Sequence, residues 1–317
     1  MSKLAGTSNI SSLLQESMCY VGQALVFAEA EEVINHLSGA QVNAKQIERV
    51  CHQYGQWILD EDEQAIEEQV YKEYPAKRVD ERHYVSVDGA MYLTREESWK
   101  ENKLGRIYQQ HDRVQMSKSR TALLDSIYVF HLGGHGDFIT KMDYHLENLN
   151  NLVFIADGAR WIWKWADKTY PESVQIVDFY HAKEHLCAFA KSYFSNEQLA
   201  SEWIEQISEM MVSQGINPVI TSLQALPGQK QTQRKRNKLL AYLSKNQHRM
   251  QYHDFIEKGL LIGSGAIESA HRDVLQERMK LSGQRWTVAG FEQMAQLRVV
   301  YKNKENHRII QLCKNAA

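Results

Sequence analysis

A mixed α/β sheet flanked by helices is the architecture this sequence predicts, on three observations. Three runs of strand length, His83 to Asp88, Leu152 to Asp157 and Val174 to Asp178, are rich in β-branched or aromatic residues, and each ends on an aspartate. Between residues 83 and 132 strand patterns follow one another, and after that they alternate with helical patterns, which indicates a mixed sheet. Beyond Asp178 no further strand is expected before the C-terminus.

Residues 1–57 read as helices. Val26 to Leu37 has apolar residues at helical spacing, and Ser38-Gly39 breaks the pattern. Asn43 is placed to cap a second helix, from Ala44 to about Tyr54, with Ile47 and Val50 facing inward. Two helices joined by a short Gly-containing turn match either a DNA-binding helix-turn-helix or an ordinary helical hairpin. In the first case Lys45, Gln46, Arg49 and His52 face DNA. Residues 58–82 are acidic and read as a solvated linker, helical in part. A core begins at 83, with strands at 83–88, about 99–108 and 126–132. A helix from about Phe138 to Leu149 precedes the strand ending at Asp157, and another from Arg160 precedes the strand ending at Asp178. Residues 182–260 form a helical insertion. Residues 261–317 then carry a helix from about Ala266, ended by Ser282-Gly283, and a last helix from about Val288 to Tyr301.

The 317 residues suffice for one large core with an accessory part. No apolar stretch is long enough to span a bilayer, and no signal peptide stands at the N-terminus, so a cytoplasmic protein is expected. Cys19, Cys51, Cys187 and Cys313 are scattered, which points to reduced thiols rather than a disulfide framework or zinc ribbon. Net charge is only −2, yet it is segregated. Residues 228–250 carry Lys230, Arg234, Lys235, Arg236, Lys238, Lys245 and Arg249 without one acid, as expected of a surface that meets the phosphate backbone. A solvated helix face has the same composition. Trp161, Trp163 and Trp165 suit packing against the sheet better than stacking on bases.

Residues at the carboxyl ends of strands line the ligand crevice of an open α/β sheet. Acids delivered to that edge form a carboxylate cluster that needs hard cations such as magnesium. Two-ion phosphoryl transfer requires an acid on a central strand, one on a neighbouring strand and one on a helix. Asp88, Asp157 and Glu268 fill these positions, although spacing alone does not rank Asp178 below Asp157. Asp178 also suits a helix N-cap.

Four segments stand in the order seen in bacterial insertion-sequence DDE transposases: Val85-Ser86-Val87-Asp88-Gly89-Ala90, Ile155-Ala156-Asp157-Gly158-Ala159, Val177-Asp178-Phe179-Tyr180-His181-Ala182-Lys183-Glu184-His185 and Ile262-Gly263-Ser264-Gly265-Ala266-Ile267-Glu268. The chain most resembles the ISKra-type group, and Glu277 to Trp286 looks like the segment after that family's glutamate. The resemblance runs from about residue 26 to 300. It implies an RNase H-like core with a helical insertion, and Asp88, Asp157 and Glu268 as ligands of two Mg2+ or Mn2+ ions. It places Asp178 and His181 beside the site. The expected partners are double-stranded DNA, as transposon ends and target, and further copies of the chain in a dimer or higher oligomer. The expected location is the bacterial nucleoid. The expected DNA contacts are Lys45, Arg49, Arg234, Lys235, Arg236, Arg272, Arg278, Arg285 and Trp286.

Two other readings compete. Family members usually carry a further N-terminal segment, whereas Met1 lies close to the helical pair here, which fits a transposase-derived DNA-binding protein or repressor without catalysis. His181-Ala182-Lys183-Glu184-His185 also matches the H-x-x-E-H pattern of zinc peptidases, with both histidines on one helix face. That chemistry leaves Asp88, Asp157 and Glu268 unexplained.

Overall fold

The computed structural model describes residues 10–71, 81–117, 121–228 and 230–315. Three helices come first: α1 (Ser12–Gly22), α2 (Phe27–Ser38) and α3 (Ala44–Glu67). The strands β1 (His83–Thr94), β2 (Ser98–Gln109), β3 (Arg113–Gln115), β4 (Thr121–Leu123) and β5 (Ile127–Leu132) follow. Helix α4 (His135–Leu146), β6 (Leu152–Ala156), α5 (Arg160–Thr169) and β7 (Val174–Val177) alternate after them. The rest is helical: α6 (Phe179–Tyr193), α7 (Glu197–Ser213), α8 (Ile216–Ala225), α9 (Gln233–Lys245) and α10 (Tyr252–Glu257), then α11 (Gly265–Ala270). A π-helical turn (His271–Gln276) joins α11 to the short α12 (Glu277–Met279), and α13 (Val288–Lys302) and α14 (Asn306–Asn315) end the chain.

The fold is α/β with a mixed five-stranded sheet in the order β5-β2-β1-β6-β7. β2 and β5 are antiparallel, while β1, β6 and β7 run parallel. The strands expected at 99–108 and 126–132 are β2 and β5. The small β3–β4 hairpin was not foreseen, because each strand has only three residues.

The contacts divide the chain into two units: residues 1–81, 88–150 and 267–317, and residues 82–87 and 151–266. In the first unit α3 packs on α13, and the two approach so closely that a Cβ on Gly55 would lie 2.1 Å from the Gln293 carbonyl oxygen. Met18, Ile47, Tyr54, Leu104, Phe130 and Phe291 share its core.

Two expectations are corrected in this unit. Asn43 does cap α3, in a capping box with Gln46, but the helix runs on to Glu67 rather than ending near Tyr54. The acidic stretch from 58 to 67 is thus helix and not linker. Ile58 and Leu59 are buried, and Glu61 and Asp62 pair with Arg308 at 3.0 and 2.8 Å. Residues 72–80 of the expected linker lie outside the described residues.

In the second unit β6 and β7 lie under helices. Trp165 meets the Phe154 ring edge-on at 5.2 Å, and Trp163 lies under the Arg249 guanidinium, as the packing expectation required. All four cysteines are free thiols. Among the described residues no helix is long and apolar enough to cross a membrane.

Candidate active site

The expected acids are divided between the two units. In the first, Asp88 sits in the middle of β1, directly after the buried run 84–87, and is half-buried. Its Oδ1 accepts the Gly89 N–H at 2.8 Å, and its Oδ2 lies 3.7 Å from Nε2 of His271. His271 is 3 % exposed, and neither ring nitrogen has a hydrogen bond. Burial lowers its pKa, opposed by Asp88. Glu268 is exposed on α11, one turn before His271. Buried Arg106 of β2 donates to Ser269 Oγ at 3.0 Å and to Ser126 Oγ at 2.9 Å. That brace ties the helix carrying Glu268 to the sheet.

In the second unit Asp157 begins the turn after β6, and its Oδ1 accepts the Ala159 N–H at 2.9 Å. This turn geometry is one that aspartate favours. Gly158 lies against Tyr242 of α9: an added Cβ would stand 2.6 Å from Tyr242 Cε2. The Tyr242 hydroxyl is buried without a hydrogen bond, and burial, then Asp157 and Asp178, raise its pKa. The His185 ring lies 4.4 Å from that of Tyr242 and 4.9 Å from that of His181. Burial and then His181 lower the His185 pKa.

Asp178 is buried and caps α6, accepting N–H bonds from His181 at 2.6 Å and from Ser264. Of its two possible roles, the cap is the one visible. The same carboxylate tethers the 261–264 loop, where Phe179 N–H also donates to Ile262. His181 and His185 share a helix face, as zinc binding requires. Among the described residues no third His, Cys, Asp or Glu ligand atom joins them within 4.8 Å. His253, Asp254 and Glu257 do form such a group on α10, where the histidine pairs with both acids at 3.6 and 3.7 Å.

The expected DNA contacts divide by burial. Lys45, Arg49, Arg234, Lys235, Arg272 and Arg285 are exposed, with Arg272 bonded to Asp273 at 3.0 Å. Arg278 is corrected: it is 1 % exposed, donates to the Gly22 carbonyl at 3.3 Å and stacks on Phe27 and Trp286. Burial brings its pKa down to about 10, so it remains a cation within the core. Trp286 is also core, its indole N–H on the Met279 carbonyl at 3.1 Å. Arg236 is half-buried and holds the Leu226 carbonyl at 2.6 Å. Within the basic segment, Arg249 is buried and pairs with Asp167 at 2.8 Å. Stacking, backbone carbonyls and the Asp167 carboxylate engage these guanidinium groups within the fold.

His271, Tyr242 and Arg106 were missed. Only His271 carried a signal, its i+3 spacing from Glu268 on one helix face. The three acids fit magnesium as a donor set: all offer hard carboxylate oxygens, and none is buried. One backbone N–H on an oxygen with two lone pairs leaves room for a cation.

The uncharacterised protein family UPF0236 matches residues 27–316, and the chain belongs to it. No curated protein matches the chain.

Proposed function

We propose that this member of UPF0236 is a magnesium-dependent DDE transposase with an RNase H-like core, which cleaves the ends of an insertion sequence and joins their 3′-hydroxyls to target DNA. The observation that carries the reading is the parallel register of β1 and β6, in which Val87 stands opposite Ala156. Asp88 is the next residue of β1 and Asp157 the first residue after β6, and each is followed by glycine. Glu268, braced through Ser269 and Arg106, supplies the third carboxylate.

In this reading Asp88, Asp157 and Glu268 hold two magnesium ions, which activate the attacking oxygen and stabilise the leaving one. Arg234 and Lys235 of α9 hold the DNA backbone, as do Lys45, Arg49, Arg272 and Arg285. Such contacts need positive charge and carry no base readout. The active form is a dimer or higher oligomer on double-stranded DNA.

Supercoiled plasmid incubated with the protein and Mg2+ or Mn2+ is expected to be nicked, and EDTA to stop the reaction. Asp88→Asn, Asp157→Asn and Glu268→Gln should each remove nicking while leaving gel-shift affinity unchanged or slightly higher. Full nicking by Asp88→Asn sinks the reading. Binding by the wild type without any cleavage favours a transposase-derived binding protein.

A further inference from the structure

We infer that His271 is a positioning residue, which holds the Asp88 carboxylate in its cation-binding orientation through an Nε2–H···Oδ2 hydrogen bond. The inference rests on the proposed role of Asp88 as a cation ligand. Three observations carry it, all within one unit. First, His271 is buried with neither ring nitrogen hydrogen-bonded, an arrangement that costs stability and needs a reason. Second, its Nε2 lies 3.7 Å from Asp88 Oδ2, and the Asp88 backbone also acts on the ring, while the other carboxylate oxygen is held by Gly89 N–H. A closure of less than about 1 Å turns this approach into a hydrogen bond of ordinary length.

Third, the π-helical turn begins at His271. Such turns are uncommon and concentrate at functional sites. Here the turn is held from outside: buried Arg298 donates to the carbonyls of Asp273, at 2.9 Å, and Val274. The turn thus presents Glu268 and His271 from one braced helix, with the imidazole directed at Asp88.

The chemistry asks for a neutral imidazole with its proton on Nε2. A carboxylate held at Oδ1 by Gly89 and at Oδ2 by His271 cannot rotate, yet each oxygen keeps a lone pair for a cation. Hydrogen-bonding partners of metal-binding carboxylates typically contribute about 10–100-fold in metal affinity.

The experiment is Mn2+ binding to the full chain, read from the electron paramagnetic resonance of free Mn2+, with melting in EDTA as the measure of folding. Four proteins are compared: wild type, Asp88→Asn, His271→Leu and His271→Gln. Leucine fills the site without a donor, and glutamine places an N–H near the former Nε2. Asp88→Asn should lose Mn2+ binding. His271→Leu should bind Mn2+ about 10–100-fold more weakly while melting in EDTA at or above the wild-type temperature. His271→Gln should recover most of the affinity. If Asp88→Asn weakens binding and His271→Leu does not, the inference is overturned and the metal reading stands. A lower melting temperature for both His271 variants, with Mn2+ affinity unchanged, assigns the histidine to packing and also overturns it. Unaltered affinity in Asp88→Asn overturns the metal reading itself.

Discussion

Gly158→Ala tests how tightly the Asp157 turn is held by α9. A Cβ at this position would lie 2.6 Å from Cε2 and 3.1 Å from the hydroxyl oxygen of Tyr242. Carbon atoms in contact rest about 3.5–4.0 Å apart, so the ring or the turn must move by about 1 Å. The ring has little room, because His185 lies 4.4 Å from it and the hydroxyl is buried. Overpacking of this kind costs about 1–3 kcal/mol. Urea unfolding of the wild type, Gly158→Ala, Tyr242→Leu and the double variant measures that cost and its origin. The alanine should destabilise the native background and cost at least about 1 kcal/mol less where leucine has replaced the ring. Plasmid nicking should follow the same order, reduced by Gly158→Ala and partly restored in the double variant. Equal unfolding midpoints for Gly158→Ala and wild type would refute the argument, as would a cost indifferent to Tyr242.

Two further outcomes follow from charge. Reversing Arg234 and Lys235 to glutamate should weaken DNA binding for all sequences alike and reduce the log–log salt slope by about 2, one phosphate contact for each cation removed. Arg236→Glu should instead destabilise the fold, because that guanidinium holds the Leu226 carbonyl; a salt slope lowered by all three equally would contradict this division. His131 is held neutral chiefly by burial, its pKa pushed down to about 4 from the ordinary 6.5. Between those values the unfolded chain binds the extra proton, so stability falls as pH drops from about 6.5 toward 4. His131→Gln should flatten this limb of the urea-midpoint profile, and an unchanged profile would remove the histidine from the account.

The strands leading to Asp88, Asp157 and Asp178 were legible in the sequence because alternation and β-branching are local properties, but the first runs on to Thr94 instead of ending at Asp88. The cap at Asn43 was legible too, because the residues it bonds are three positions away. The split of the acidic stretch was not legible: Asp62 and Arg308, whose pairing helps hold that segment as helix, are 246 positions apart. Burial decided the arginines in the same way. Arg278, Arg249 and Arg285 are alike in a one-dimensional reading, yet Phe27, Trp163 and Asp167 come to two of them from distant elements.

The sequence by itself determined that Asp157 and Asp178 directly follow strands and which segments are helical, since backbone pairing and amphipathic periodicity are written within a few residues. Only the tertiary structure decided that Asp178 is a cap whose second oxygen takes the Ser264 N–H, and that His271 faces Asp88. These are contacts between residues 86 and 183 positions apart, and the role of a polar side chain is set by the partner that folding brings to it.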